Sequence, residues 1–230
     1  MKNKIFLSII VPTYNAEEFI IKNIHFLRKK INKVESNFEI IIVNDGSEDN
    51  TKKILQKLKH KKNKIKIINM IKNLGKGAAV RMGLKKSIGE NIIFIDCDLP
   101  YFESILKVYK YLKEDSFDLV VSSREKKPSK KFYKNWNFLF RRFFASFLNK
   151  IVRILIVDGF SDTQAGLKGF KRKVINKICK FKTNRFLFDI EILRSAKRHK
   201  LKIKKIFVKD KFKDYTANHV TSIKFYLSTF

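Results

Sequence analysis

The stretch Ile92–Pro100, IIFIDCDLP, runs a short apolar segment into two aspartates, Asp96 and Asp98, separated by Cys97. Carboxylates at that spacing beyond a buried strand can both approach one divalent cation. An all-oxygen donor set suits Mg²⁺ or Mn²⁺, which keep bound waters and take only one or two protein carboxylates. Such an ion could bridge a diphosphate, and it would explain why so basic a chain sets two of its few carboxylates side by side. A bare D-x-D also occurs in solvated turns. What favours a site here is its position relative to other polar motifs.

Those motifs follow from the elements that must carry them. The apolar runs 5–11, 38–43, 65–68, 92–95 and 117–121 read as buried strands. Between them, Ala16–Lys30, Asp49–His60, Gly77–Ser87 and Tyr101–Lys113 have amphipathic helical spacing. Near-continuous apolar strands alternating with helices predict a mostly parallel sheet with helices on both faces. Ligands of such sheets bind beyond the carboxyl ends of the strands. Here PTYN, NDGS, DCD and SSR follow the first, second, fourth and fifth strands respectively. This agreement in position points to one site along one sheet edge.

The second half has a different texture. Phe132–Val157 is aromatic and basic with a helical period, and Phe138, Phe140, Phe143, Phe144 and Phe147 stand among Lys134, Arg141, Arg142, Lys150 and Arg153. That composition favours an amphipathic helix lying in anionic headgroups over the alternative, a buried helix packed on the sheet. SDTQAGLKGF follows, then a helix over about 188–199 and a last strand, LKIKKIFV. No repeat or Pro- or Ser-rich linker interrupts the chain. The expectation is a single domain, 1–230, whose two halves, 1–125 and 126–230, differ in character.

Composition bounds the function less sharply. The 230 residues carry 52 Lys+Arg against 21 Asp+Glu, a net charge of +31. An anionic partner would explain this. So would compositional drift, because only 10 of the cations are Arg and Lys, Ile and Asn are abundant together. Cys97 and Cys179 form no C-x-x-C pair, which points to a reducing compartment. The apolar run near the N-terminus is too short for a secretory signal, and no stretch approaches the length of a membrane span. His25, His60, His199 and His219 show no metal-ligand spacing. NLGKGAAVRMG lacks both the Walker A pattern and the third glycine of a dinucleotide loop. It reads either as a glycine-punctuated helix start or as an element beside a diphosphate, with Lys76 as its cation. Asp189 and Glu191 in FDIEI read either as helix N-terminal carboxylates or as contacts to hydroxyls of a bound ligand.

SIIVPTYNAEE, IIIVNDGSEDNT, NLGKGAAVRMG, IIFIDCDLP, SSR and DTQAGLKGF occur in the order seen in inverting, GT-A-fold (Rossmann-like) family 2 glycosyltransferases. Within these the chain resembles the dolichyl-phosphate and polyprenyl-phosphate hexose synthases. SDTQAGLKGF followed by FDIEIL is most similar to the dolichyl-phosphate glucose branch. The likeness covers roughly 5–225 and implies a nucleotide-sugar-binding half, 1–125, and an acceptor- and membrane-facing half, 126–230. It implies that Pro12, Tyr14, Glu17, Val43, Asp45, Lys76, Asp96 and Cys97 line the nucleotide-sugar pocket. Asp98 would be the main metal ligand, with Asp96 on its ribose side. Arg124 would meet the diphosphate or the acceptor phosphate, so that Asp96, Asp98 and Arg124 form the catalytic set. Arg142, Gln164, Lys168, Lys211 and His219 would lie on the acceptor side. Pro100 departs from mannose-transferring relatives, which often have Gln there, and Cys97 stands in for the usual Ala.

The resemblance implies metal-dependent transfer of a hexose from a nucleotide diphosphate sugar, UDP-glucose favoured over GDP-mannose, to a polyprenyl or dolichyl phosphate. The cofactor would be Mg²⁺ or Mn²⁺. The protein would be cytoplasmic, peripheral on an anionic membrane surface. Transfer to a polysaccharide or other glycan acceptor is the alternative. A basic nucleic-acid-binding protein is the third reading, and no nucleic-acid partner is expected, because the lysines are spread along the chain and no known binding module occurs.

Overall fold

In the strands β1 (Leu7–Thr13), β2 (Phe38–Asn44) and β4 (Asn91–Ile95) every residue is buried, as expected of strands covered on both faces. The computed structural model describes residues 5–59, 64–124, 165–185 and 187–208. With β3 (Ile65–Asn69), β5 (Leu119–Arg124), β6 (Leu167–Lys171) and β7 (Ile203–Val208) these form one seven-stranded sheet of order β3-β2-β1-β4-β6-β5-β7. The pairs β1–β2, β1–β4, β2–β3 and β5–β7 are parallel, and β6 runs antiparallel between β4 and β5. One sheet therefore joins strands from both halves of the chain.

Alternate strand residues feed two layers. Ile9, Val11, Ile40, Ile42, Ile93 and Ile95 pack beneath α1 (Ile20–Ile31), α2 (Thr51–Lys59) and α4 (Phe102–Lys113). Helix α1 turns Ile20, Ile24, Leu27 and Ile31 inward, the spacing of one helical face. On the opposite face Ile10, Ile41, Val43, Ile92 and Phe94 meet α3 (Lys76–Lys86), α5 (Ile175–Ile178) and α6 (Phe188–Arg198). Helix α3 buries mostly small residues, Gly77, Ala78, Ala79, Val80 and Gly83 among them, so its backbone rides close to β1.

At the amino edge of the sheet a buried polar cluster replaces apolar packing. Ser8 Oγ donates to Glu39 Oε1 at 2.6 Å, Ile88 N donates to the same oxygen at 2.8 Å, and Arg172 Nε donates to Gly89 O at 2.6 Å. Each partner satisfies another, as burial demands. This edge is sealed by structure, and the opposite, carboxyl edge carries the motifs.

Three differences from expectation have physical causes. Helix α1 starts at Ile20 and not at Ala16, because Ala16 N donates outward to Thr51 Oγ1 at 2.8 Å. Asp49 precedes α2 and is not part of it; its Oδ1 accepts from Thr51 N at 2.9 Å, the work of a capping residue. The segment LKGFK is a buried antiparallel strand although it carries a lysine and a glycine. The expected amphipathic helix over 132–157 lies outside the described residues. Among the described residues, no helix is long and apolar enough to cross a membrane.

Candidate active site

The carboxyl edge is built from loops that hydrogen-bond to one another. After β1, Asn15 Oδ1 accepts from Glu48 N at 2.9 Å and Asn15 N donates to Ser47 Oγ at 3.0 Å. Glu17 Oε2 accepts from Asn50 N at 2.7 Å, and Asp49 Oδ2 accepts from Glu17 N at 3.1 Å. The PTYN and NDGS motifs thus form one cross-laced wall. Burial opposes the ionisation of Asp49, but hydrogen bonds from Thr51 and from Glu17 N outweigh it and bring its pKa below the ordinary value. Pro12 and Val43 are buried strand residues at this end, and Tyr14 is half-buried beside them.

Asp45, 3% exposed, spans from this wall to the next loop. Its Oδ1 accepts from Leu74 N at 2.9 Å and its Oδ2 from Gly75 N at 2.8 Å. Gly75 has φ of 101°, a conformation open to glycine, and a Cβ there would stand 2.6 Å from Asn184 O. Ala78 N, in the first turn of α3, donates to Asn184 O at 3.1 Å. The glycines of NLGKG therefore let α3 seat its first turn against residues 183–185. That favours the helix-start reading of the motif and also fixes where Lys76 begins.

The Lys76 ammonium lies 2.5 Å from Asp96 Oδ1. Burial opposes its charge, but Asp96, Asp189 and Asp98 surround it and hold its pKa above the ordinary lysine value. The other side of the Asp96 carboxylate rests on Gly166, where any Cβ would collide with Oδ2. The DCD turn is closed by Leu99 N donating to Asp96 O at 2.9 Å, with Leu99 held at φ 53°, and Asn23 Nδ2 of α1 donates to Cys97 O at 2.9 Å. Asp96 is half-buried and Asp98 exposed. Burial and the two flanking carboxylates push the Cys97 thiol far up, so it stays a neutral small side chain and not a nucleophile.

Beneath Asp96, Lys168 on β6 is fully buried, with its ammonium 2.6 Å from Asp189 Oδ1, 3.0 Å from Ala165 O and 5.3 Å from the Phe94 ring centre. Burial pushes the Asp189 carboxyl up, against the pull of Lys168 and Lys76. Asp189 is thus neither an exposed helix-terminal charge nor an open contact surface. Glu191 accepts from Lys182 N and Thr183 N, both at 2.9 Å, and from the Thr183 hydroxyl. It ties down the loop that supports α3. Neither role is visible in the FDIEI pattern, and only a carboxylate following a buried lysine hints at the pair. Arg124 ends β5 on the same edge and is exposed. Gln164, Arg142, Lys211 and His219 lie outside the described residues.

The described edge therefore brings together Pro12, Tyr14, Glu17, Val43, Asp45, Lys76, Asp96, Cys97, Asp98, Arg124 and, from below, Lys168. Asp96 and Asp98 fit a divalent ion that draws its remaining ligands from water and a bound diphosphate. They do not amount to an all-protein cage: among the described residues no three His, Cys, Asp or Glu side chains gather into a metal-holding group.

Comparison with known proteins places the chain in a family and agrees with its fold. Residues 8–179 match the model of glycosyl transferase family 2. The chain is 30% identical over 214 residues to the dolichyl-phosphate beta-glucosyltransferase of Homo sapiens, covering 88% of this chain and 66% of that protein. It is 30% identical over 221 residues to the Drosophila melanogaster protein of the same name, with coverage of 88% and 66%. It thus spans about two thirds of these relatives' length. Among solved structures it is similar to Mycobacterium tuberculosis glucosyl-3-phosphoglycerate synthase in complex with Mn²⁺ and UDP-glucose, with a TM-score of 0.62, 17% identity and coverage of 89% and 69%. It is also similar to S. aureus TarS 1–349 in complex with UDP-GlcNAc, with a TM-score of 0.55, 19% identity and coverage of 89% and 58%. The sheet, its order and these neighbours give a GT-A, Rossmann-like fold. The chain belongs to glycosyl transferase family 2.

Proposed function

We propose that this protein transfers a hexose, with inversion, from a nucleotide diphosphate sugar to a polyprenyl or dolichyl phosphate, with UDP-glucose the favoured donor. The observation that carries this reading is the meeting of Asp96, Asp98, Lys76 and the loop held by Asp45 on one sheet edge, which suits a diphosphate and its counter-ions. The names of the curated relatives support dolichyl phosphate as acceptor and glucose as the sugar.

A phosphate acceptor is ionised at neutral pH, so the site needs no general base to create the nucleophile. Its task is to bring two anions together and to stabilise the departing diphosphate. Asp98, assisted by Asp96, would hold a divalent cation, Mg²⁺ or Mn²⁺. When bound, such an ion offsets charge on the leaving group as a Lewis acid. Lys76 and Arg124 supply fixed positive charge from two sides. The wall of Tyr14, Glu17 and Asn15 and the loop held by Asp45 bound the nucleoside side. Lys168, expected on the acceptor side, is instead fully buried with its ammonium on Asp189, so it acts from below by fixing that carboxylate. Gln164, Arg142, Lys211 and His219 would serve the acceptor. The aromatic, basic segment 132–157 would bring the chain to the cytoplasmic face of an anionic membrane, where its acceptor resides.

The test is incubation with Mn²⁺, a panel of nucleotide sugars and short-chain polyprenyl phosphates, followed by detection of glycolipid. Product from UDP-glucose and a polyprenyl phosphate is expected. Sugar transfer only to a soluble glycan would move the acceptor assignment to the alternative.

A further inference from the structure

Asp96 pairs through one carboxylate oxygen, and backbone crowds the other. Oδ1 lies 2.5 Å from the Lys76 ammonium, and Oδ2 rests on the Gly166 backbone. Lys76 cannot withdraw as a whole, because its backbone is pinned on both sides. Asp45 grips Leu74 N and Gly75 N, and Asn184 O grips Ala78 N. Only the side chain can swing, and where it stands it lies in the field of Asp96, Asp189 and Asp98. Lys168 is committed to Asp189, so Lys76 is the ammonium that pairs with Asp96.

From this arrangement we infer that Lys76 is a built-in counter-cation that competes with the divalent ion for Asp96, so that metal and nucleoside diphosphate bind as a coupled pair. The inference rests on the metal reading above. A cation bonded to Asp96 would stand within a few ångströms of the ammonium, where like charges repel strongly in a partly desolvated site. A diphosphate offers the ammonium another anion and so releases Oδ1. Coupling of this kind is reciprocal: whatever factor the nucleotide adds to metal affinity, the metal adds to nucleotide affinity.

The experiment is Mn²⁺ binding to the full chain, read from the electron paramagnetic resonance signal of free Mn²⁺, with and without UDP and corrected for Mn²⁺ held by UDP in solution. Wild type, Lys76→Met, Lys76→Gln, Lys76→Arg and Asp98→Asn are compared, each checked for a native circular dichroism spectrum. Wild type alone should bind weakly, and UDP should tighten it at least about tenfold, within the usual range of coupling factors. Lys76→Met and Lys76→Gln should bind Mn²⁺ without UDP about tenfold more tightly than wild type, with the UDP effect correspondingly reduced. Lys76→Arg, which keeps the charge, should stay close to wild type. Unchanged affinity in Met and Gln variants, or equal tightening in the Arg variant, would overturn the counter-cation role while leaving the metal site standing. Wild type with UDP retaining no protein-bound Mn²⁺, or retaining it undiminished in Asp98→Asn, would remove the metal reading itself and the inference with it.

Discussion

Gly166 lies directly against the carboxylate of Asp96, so closely that a Cβ at 166 would collide with it. Gly166 immediately precedes β6, so the entry to that strand sets the height at which the D-x-D turn stands above the sheet, and Asp96 N donates back to Gly166 O at 3.2 Å. Replacing Gly166 by Ala should push the carboxylate aside while the sheet stays paired. Overpacking of this kind costs about 1–3 kcal/mol of stability. A shift of about 1 Å at a reacting centre can cost on the order of 100-fold in rate. The check is a urea titration run beside a transfer assay: a modest stability loss with a large rate loss is expected, and an unchanged rate would mean that Asp96 need not stand where Gly166 allows.

Asp45 holds two backbone N–H groups of the Leu74–Gly75 loop with its two oxygens. In Asp45→Asn one oxygen becomes an NH₂ that must face an N–H. Each charge-assisted hydrogen bond is worth about 1.5–3 kcal/mol, so the loop should loosen and Lys76 with it. Calorimetry with UDP should give weaker binding, and Asp45→Ala should be weaker still. An unchanged dissociation constant in both variants would separate this loop from the nucleotide.

The buried Lys168–Asp189 pair predicts strong asymmetry between single and double substitutions. Lys168→Met or Asp189→Leu alone leaves one buried charge uncompensated, at about 3–5 kcal/mol. The double variant removes both charges and should recover much of that loss. Chemical denaturation of all four proteins measures the coupling, and additive losses would show that the two groups do not depend on each other.

Acid stability should depend on Asp49. Its pKa is lowered from the ordinary 3.8 because hydrogen bonds from Thr51 and Glu17 N, made to the ionised form, outweigh the burial that opposes it. A depressed folded-state pKa means the stabilisation is fully present above the unfolded value and is lost as pH falls through the folded one. Asp49→Asn should therefore destabilise the protein at neutral pH and converge with wild type well below pH 3.8. Denaturant midpoints at pH 7 and at the acid limit test this, and a constant gap between the two proteins would contradict it.

The first parallel strands and their end-motifs were legible because these strands are near-continuous apolar runs and the polar motifs follow where the runs stop. Strand β6 was not, because Gly166 stands just before it and Lys168 and Gly169 break the pattern of a buried strand. Their reasons lie elsewhere in the chain: Gly166 yields to Asp96, and Lys168 is buried only because α6 brings Asp189 to it. Asp189 and Glu191 read alike as acidic residues at a helix start, yet one pairs with a buried ammonium and the other holds the backbone of residues 182–183. Period and composition carry no information on such long-range partners. Gly75 and Gly77 were visible as punctuation, whereas their contact with residues 183–185 was not.

The central claim is that the Asp96–Asp98 turn serves metal-dependent sugar transfer to a lipid phosphate. Its most direct test is formation of radiolabelled glycolipid from UDP-glucose and a short-chain polyprenyl phosphate, by wild type and by Asp98→Asn, each with Mn²⁺ and with excess EDTA. The account predicts product from wild type with Mn²⁺ alone, and near-complete loss both on chelation and in the folded Asp98→Asn variant. Equal turnover by Asp98→Asn, or turnover by wild type unaffected by EDTA, would contradict it.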